Sequence, residues 1–259
     1  QAVSTALLAR GGVVGTNDGN LKVDATGAVT LTNTTNNVGT VAAVLSDLGA
    51  ALQYTDASAL KIGTVASAGT GTATIAQRDG ITTNGGALTV IGGGTLTIDQ
   101  AILTTPTTGT NASTKAGGKV FLTADDAIGS TASTGTITTT GQVSTVTGAD
   151  TAGAGGEVLI RHTSTVANKA ITLGAAIVAS GGASVEAGDT GGVGGVVTIL
   201  NDSGSITVHN ITADGGAAGG GTAGAGGTIQ LKTALAAATI DQAVSTALLA
   251  RGGVVGTND

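Results

Sequence analysis

Acidic side chains are the residues of this chain with the greatest capacity for chemistry, and they are few. Asp125 and Asp126 form the only adjacent acidic pair, and Glu157 and Glu186 are the only glutamates. Carboxylate oxygens bind Ca²⁺, but a calcium site takes about six to eight oxygen ligands. Such a pair is more often a solvated turn. The sequence therefore predicts no metal or cofactor site. If Ca²⁺ did bind, Asp125 and Asp126 would be its candidate ligands.

Two histidines are the other side chains that could transfer protons or hold a metal. His162 and His209 follow strand-like runs at non-equivalent places. A metal site needs several converging ligands, and the chain has no cysteine to add to them. We therefore expect both histidines to end strands at the surface.

A polysaccharide-active enzyme would need carboxylates, or a carboxylate and a base, gathered in a cleft. Here the remaining aspartates stand singly in turn-like sequences, and Tyr54 and Phe121 are the only aromatic residues that could stack on sugars. The glycine runs at 92–94 and 215–221 lack the Gly-Lys-Ser/Thr ending of a phosphate-binding loop, so they are predicted to be turns. The sequence predicts that this chain is not an enzyme.

Composition indicates repetitive β-structure with an aliphatic interior. Charged residues make up 10% of the chain, well below the usual quarter or so, and 46 residues are glycine. The net charge is −6 and the ten basic residues are scattered, which argues against a nucleic-acid surface. No apolar run reaches the roughly eighteen residues of a membrane-spanning helix. With so few aromatics, Val, Ile, Leu and Ala must fill the core.

A regular repeat is visible in the second half of the chain. Pairs of glycines precede strand-like apolar runs four times, beginning at Gly117, Gly155, Gly194 and Gly226, at intervals of 38, 39 and 32 residues. Ahead of three of these pairs, two short strand-like runs follow one another. This pattern predicts a parallel β-solenoid with three strands per coil and a glycine-rich loop before the third, in about seven coils of about 34 residues.

Two stretches also carry apolar residues at helical spacing. These are residues 41–52 and the alanine-rich residues 235–249. The second stretch contains 239–244, which closely repeats residues 97–102, and the latter lie among strand signals. We therefore predict strands rather than helices for both.

The first eighteen residues recur identically as the last eighteen. Gln1 to Asp18 and Gln242 to Asp259 both read QAVSTALLARGGVVGTND, with an offset of 241 residues. This identity predicts a tandem array in which residues 1–241 are one full repeat, forming a continuous solenoid, and the last eighteen residues start the next. The ends of the two copies would mark the repeat junction. The alternative is a terminus that was simply duplicated.

Two segments resemble the repeats of filamentous-haemagglutinin-type surface proteins. In that family an Asp-Ala turn precedes a Leu-x-Ile-Gly strand, as at Thr55–Ala57 and Leu60–Gly63 here. Its Ile-Thr-x-x-Gly-Gly corners precede Leu-Thr-Val strands, as at Ile81–Val90. The resemblance implies a right-handed parallel β-helix, secreted across a bacterial outer membrane and used in adhesion or as an extracellular fibre.

The predicted function is therefore structural. The chain would be a non-enzymatic repeat of an extracellular filament or giant adhesin stalk at the bacterial cell surface. Its partners would be adjacent repeats stacked end to end, laterally bundled shafts, and the cell surface or extracellular matrix, but not nucleic acid. Two alternatives stay open: an adhesive binding module whose glycine-rich loops or threonine faces contact a cell, and a polysaccharide-active β-helix enzyme.

Overall fold

The protein is built from short strands wound into a parallel coil. A computed structural model describes residues 19–68, 75–106, 115–145, 150–166 and 168–256. The strands are β1 (Asn20–Ala25), β2 (Val29–Leu31), β3 (Thr40–Leu45), β4 (Leu52–Asp56), β5 (Leu60–Ile62), β6 (Thr64–Val65), β7 (Arg78–Asp79), β8 (Ile81–Thr83), β9 (Leu88–Gly92), β10 (Leu96–Ile98), β11 (Ile102–Leu103), β12 (Val120–Ala124), β13 (Ile128–Ser130), β14 (Ile137–Thr138), β15 (Val158–His162), β16 (Ile171–Leu173), β17 (Ile177–Val178), β18 (Val196–Asn201), β19 (Ile206–Val208), β20 (Ile211–Thr212), β21 (Thr228–Thr233), β22 (Ile240–Gln242) and β23 (Leu248–Leu249).

Seven of these strands form one side of the coil, here called face 1. Its order is β2-β4-β9-β12-β15-β18-β21, and every neighbouring pair is parallel. Neighbouring strands lie about 4.8 Å apart, so the chain advances by that distance with each turn. The register partners Val120, Val158, Val197 and Ile229 are 38, 39 and 32 residues apart. These are the intervals of the glycine pairs, so the repeat predicted from the sequence is confirmed.

Two further faces complete each coil. Face 2 comprises β5, β10, β13, β16, β19 and β22, and face 3 comprises β8, β11, β14, β17, β20 and β23. The six-residue strand β3 serves both, because its start pairs with β5 and its end pairs with β8. The regular coils therefore contain three strands, with a glycine-rich loop before each strand of face 1. This architecture confirms the prediction of an all-β parallel solenoid.

One insertion interrupts the coil between β5 and β8. Strands β6 and β7 form an antiparallel hairpin that rests on β1. Lys22 Nζ donates hydrogen bonds to the carbonyl oxygens of Ala66 and Ile75, at 2.7 and 2.9 Å. Arg78 Nη2 lies 2.9 Å from Asp24 Oδ1. These contacts hold the hairpin against the first coil. The insertion itself makes the N-terminal half less regular than the C-terminal half.

Aliphatic side chains fill the interior in stacks that run along the axis. Because the strands pair in register, an inward position meets the same position in the coils on either side, which favours side chains of similar volume. Three of these stacks are Val29, Leu52, Leu88, Val120, Val158, Val197 and Ile229 on face 1, Leu60, Leu96, Ile128, Ile171, Ile206 and Ile240 on face 2, and Ile81, Ile102, Ile137, Ile177, Ile211 and Leu248 on face 3. Their central members are fully buried.

The two stretches with helical spacing are strands. Residues 41–52 contain most of β3 and the start of β4, with Val41, Ala43 and Leu45 buried. Residues 235–249 contain β22 and β23, which pair with β19 and β20 of the preceding coil. The preference for strands is confirmed, because backbone pairing with a neighbouring coil outweighs the local apolar periodicity.

Candidate functional site

The candidate calcium pair lies in the turn between β12 and β13, where its carboxylates have separate partners. Asp125 Oδ1 accepts a hydrogen bond from Thr163 Oγ1 at 2.7 Å. Asp126 Oδ1 accepts one from the backbone N–H of Ala127 at 2.7 Å and lies 2.8 Å from Lys169 Nζ. The hydrogen bond from Lys169 is the main cause that lowers the pKa of Asp126 below its usual value. Within the described ranges, no three His, Asp or Glu side chains cluster closely enough to hold a metal ion.

His162 corrects the prediction that both histidines lie at the surface. It is the last residue of β15, and its side chain is fully buried. Its Nδ1 lies 3.1 Å from Ser203 Oγ, and its Nε2 has no hydrogen-bond partner among the described residues. The neighbouring position in β12 is Ala124, whose small side chain leaves room for an imidazole. The period-two alternation of β15, which turns Ile160 inward, was the signal that could have located it.

His209 follows β19 and is half-buried. Its Nδ1 is shielded from solvent and has no partner among the described residues. Its surface prediction is therefore only partly right. The two histidines do occupy non-equivalent places in their coils, as the sequence indicates, and they are not brought together as a pair of ligands in any cluster of the described chain.

We expect acid to destabilise the protein through His162. Burial lowers the pKa of this histidine, although Asp125, Asp126 and Asp202 each act to raise it. Between the lowered pKa and the usual value near 6.5, the unfolded chain binds a proton that the folded chain does not. The free energy of unfolding should therefore fall as the pH drops below about 6.5, by at most about 1.4 kcal/mol per pH unit.

Urea unfolding of the wild type and His162→Gln at about pH 7.5 and about pH 5.5 would measure this effect across the predicted range. The wild type should lose more stability between the two conditions than His162→Gln does. The variant His209→Gln serves as a control for the substitution itself, at a histidine that is only half-buried. An equal acid-induced loss in the wild type and His162→Gln would contradict the assignment.

A second buried polar group is Asp56, at the end of β4. Its side chain accepts hydrogen bonds from Tyr54 Oη at 2.6 Å, from Val38 N at 2.9 Å and from Ser58 N at 2.9 Å. Burial raises the pKa of Tyr54 above its usual range, and the hydrogen bond to Asp56 and the negative charge of Asp56 raise it further. Both carboxylate oxygens of Asp56 accept hydrogen bonds from groups of the surrounding fold. The Asp-Ala turn seen in the sequence is therefore fixed at the corner between face 1 and face 2, and we call Asp56 with these hydrogen bonds the corner tie.

The two glutamates take different positions in the glycine-rich loops. Glu157 precedes β15 and lies 3.0 Å from Lys119 Nζ, on the neighbouring coil. Glu186 is half-buried near the tip of the loop between β17 and β18. Glu157 thus takes part in an ion pair that bridges two coils at the solvent-exposed edge.

The loops that join face 3 to face 1 form the most distinctive surface of the molecule. Each loop has an outgoing arm and a returning arm, both extended and stacked on the arms of adjacent coils. We call these residues the glycine flange: outgoing arms 139–145, 179–185, 213–218 and 250–255, and returning arms 151–156, 190–195 and 222–227. The prediction of simple turns holds for residues 93–94 and 219–221. It is wrong for Gly92, which ends β9, and for Gly215 and Gly216, which lie in an outgoing arm.

Backbone hydrogen bonds tie the two layers of arms together. They alternate between outgoing and returning arms along the axis: Gly153 N to Gln142 O, Gly182 N to Gly153 O, Gly192 N to Gly182 O, Gly216 N to Gly192 O, Gly224 N to Gly216 O and Gly253 N to Gly224 O, at 2.7 to 2.9 Å. Glycine is required because a Cβ on most of these residues would overlap a carbonyl oxygen of the neighbouring arm. The flange is therefore a backbone scaffold, in which hydrogen bonds between the main chains of closely packed arms hold the loops together.

The second copy of the repeated segment completes the last coil of the solenoid by adding β23 and one more outgoing arm. Gln242 ends β22 opposite Val208, and β23 pairs in parallel with β20. Its outgoing arm extends the flange through Gly253. Gln1, Asp18 and Asp259 lie outside the described residues, so of the four predicted junction residues only Gln242 is placed.

Polar contacts add to this junction. Asp214 Oδ2 accepts hydrogen bonds from Arg251 Nη2 at 2.7 Å and Nε at 3.2 Å, while Asp214 Oδ1 accepts one from the Arg251 backbone N–H at 2.7 Å. These hydrogen bonds lower the pKa of Asp214. One aspartate thus holds both the backbone and the side chain of the first outgoing arm contributed by the second copy.

The last coil is the least covered part of the apolar stacks. Ile240 and Leu248 are 45% and 39% exposed, whereas their partners one coil earlier, Ile206 and Ile211, are 0% and 1% exposed. The difference arises because Ile206 and Ile211 have a coil on both sides. A further coil placed on β22 and β23 would bury both exposed side chains.

Comparisons with known proteins identify no family for this chain. No family model, no curated protein and no solved structure matches it. The similarity to filamentous-haemagglutinin-type repeats, and the right-handed sense that it implies, stay predictions. A helix with the length and hydropathy to cross a bilayer does not occur in the described part of the chain.

Proposed function

We propose that this chain is a non-enzymatic structural repeat of an extracellular filament or adhesin stalk on a bacterial surface, in which repeats stack end to end as one solenoid. The observation that carries the proposal is the position of residues 242–256. They repeat the sequence of residues 1–15 and complete the last coil, with the strand pairing and flange contacts of the coils before it.

The physical properties of the solenoid suit a load-bearing shaft. Paired strands follow one another along the whole axis, with their hydrogen bonds pointing along it. A force that pulls along the axis is therefore shared by many backbone hydrogen bonds. Ion pairs also link neighbouring coils at the edge, as between Lys119 and Glu157 or Arg161 and Asp202. An uninterrupted array also leaves strand edges only at its two ends, which limits unwanted edge-to-edge pairing. The cell-surface location is drawn from the family resemblance.

The mass of the natural polypeptide after complete denaturation tests the proposal. We expect a mass many times the 24.2 kDa of this chain, corresponding to successive repeats of 241 residues. Aligned fibres should show a meridional spacing of about 4.8 Å from the stacked strands. A natural chain near 24 kDa that forms isolated particles without this spacing would contradict a filament.

A further inference from the structure

The surface that residues 208–218 present to the following coil, here called the end surface, is covered in this chain by residues 242–256. The backbone N–H of Ile211 donates to the carbonyl oxygen of Ala247 at 3.0 Å, and the side chain of Leu248 stacks on that of Ile211. The contact therefore combines backbone pairing with apolar burial. It requires a large aliphatic side chain at one defined position of the covering segment.

Polar groups of the end surface also select the covering segment. Asn210 Oδ1 accepts a hydrogen bond from the backbone N–H of Ala247 at 2.8 Å, which fixes the register of β23. Asp214 binds the guanidinium of Arg251 through two nitrogens and its backbone N–H through a third. Asp214 Oδ2 accepts from both guanidinium nitrogens while Oδ1 accepts from the backbone N–H, so the contact fixes the place of the arginine. The end surface therefore matches a leucine and an arginine at fixed spacing.

The same recognition elements occur a second time in the chain. Leu7 and Arg10 stand in residues 1–15 where Leu248 and Arg251 stand in 242–256, within an identical sequence. A segment of identical sequence from another molecule offers the end surface the same hydrogen bonds and the same apolar contact. The two segments differ only in their covalent connection to the end surface. The segment of the same chain is connected to it and therefore acts at an effective concentration of roughly millimolar order, whereas the segment of another molecule acts at its concentration in solution.

We propose that residues 1–15 of a second copy of this chain bind the end surface in place of residues 242–256, so that separate copies join end to end by exchanging the repeated segment. The inference rests on the proposed function, because it specifies how one repeat recognises the next where the two are not joined covalently. Exchange continues the solenoid from one copy into the other. It thereby covers apolar side chains at the ends of the stacks, which favours the joined state.

Two double variants with the same amino-acid composition test the proposal. Asp214→Arg combined with Arg10→Asp makes the end surface repel its own Arg251 and attract the segment of another copy. Asp214→Arg combined with Arg251→Asp does the reverse, so the end surface keeps its own segment. In sedimentation velocity of the full chains, the first variant should grow with concentration to at least about twice the mass of one chain. The second should stay near one chain.

The outcome is decided by the difference between the two variants. Assembly of the first alone supports segment exchange, and equal behaviour of the two overturns it. The single variants Leu248→Asp and Leu7→Asp repeat the comparison without altering Asp214, with assembly expected only for Leu248→Asp. Failure of exchange would leave the proposed function standing, because a covalent array stacks its repeats without exchange and is tested by the mass of the natural polypeptide.

Discussion

Replacing Gly195 with alanine is expected to lower the free energy of unfolding by about 3 kcal/mol. Gly195 lies in a returning arm of the flange, and its N–H donates to the carbonyl oxygen of Ala179 at 2.6 Å. A Cβ at this position would overlap the carbonyl oxygen of Gly156 on the neighbouring coil. Relief would require the arms to separate, which breaks hydrogen bonds in both layers.

Gly27→Ala is the matched control for this variant. A Cβ at Gly27 meets no atom within 4 Å, and Gly27 does not have a positive φ. This substitution should be neutral, or stabilising by about 0.4 to 1 kcal/mol through the lower entropy of the unfolded chain. Urea unfolding followed by circular dichroism measures both variants. Similar midpoints for the two would show that the flange is not a tightly packed backbone scaffold.

Removal of the Asp56 carboxylate should cost nearly as much. In Asp56→Ala, the hydroxyl of Tyr54 and the backbone N–H of Val38 lose their acceptor while remaining buried. Each buried donor left without an acceptor costs about 1 to 3 kcal/mol, so the expected loss is about 3 kcal/mol. The loss should be seen in equilibrium unfolding as a lower midpoint with an unchanged denaturant slope.

Asp47→Ala provides the comparison for Asp56→Ala. Asp47 lies close to Asp56 in the sequence, but its side chain is exposed in the turn after β3. Its replacement should change the free energy of unfolding by less than about 0.5 kcal/mol. If Asp56→Ala unfolded at the same urea concentration as Asp47→Ala, the corner tie would have no energetic role, and the stability of that coil would have to come from the aliphatic stacks alone.

These two expectations assign the solenoid two different kinds of reinforcement. The flange stabilises coils by contacts between backbones, which leave no room for a Cβ at most of its glycines. The corner at Asp56 stabilises the turn from face 1 to face 2 by a buried acceptor, at a position where His162 and Asn201 stand in later coils. The flange lies between face 3 and face 1 and the corner lies between face 1 and face 2, so the two reinforcements act on different parts of each coil.

The periodicity of the fold was predictable from particular residues. The glycine pairs beginning at Gly117, Gly155, Gly194 and Gly226 gave the register of face 1, because each coil must pass the same constricted corner before its strand begins. The polar interior was not predictable in the same way. His162 and Asp56 look like surface residues by type, and only the alternation within their strands indicates that they point inward.

The sequence by itself determined that this protein is a repetitive all-β coil with an aliphatic interior, because strand alternation, glycine spacing and the repeated eighteen-residue segment are local or periodic signals. Only the tertiary structure decided how the glycine-rich loops pair into a two-layered flange and that Asp214 meets Arg251 at the repeat junction. The physical reason is that these contacts join neighbouring coils. Glycine carries no side-chain pattern, and an aspartate in a loop does not reveal its partner 37 residues away.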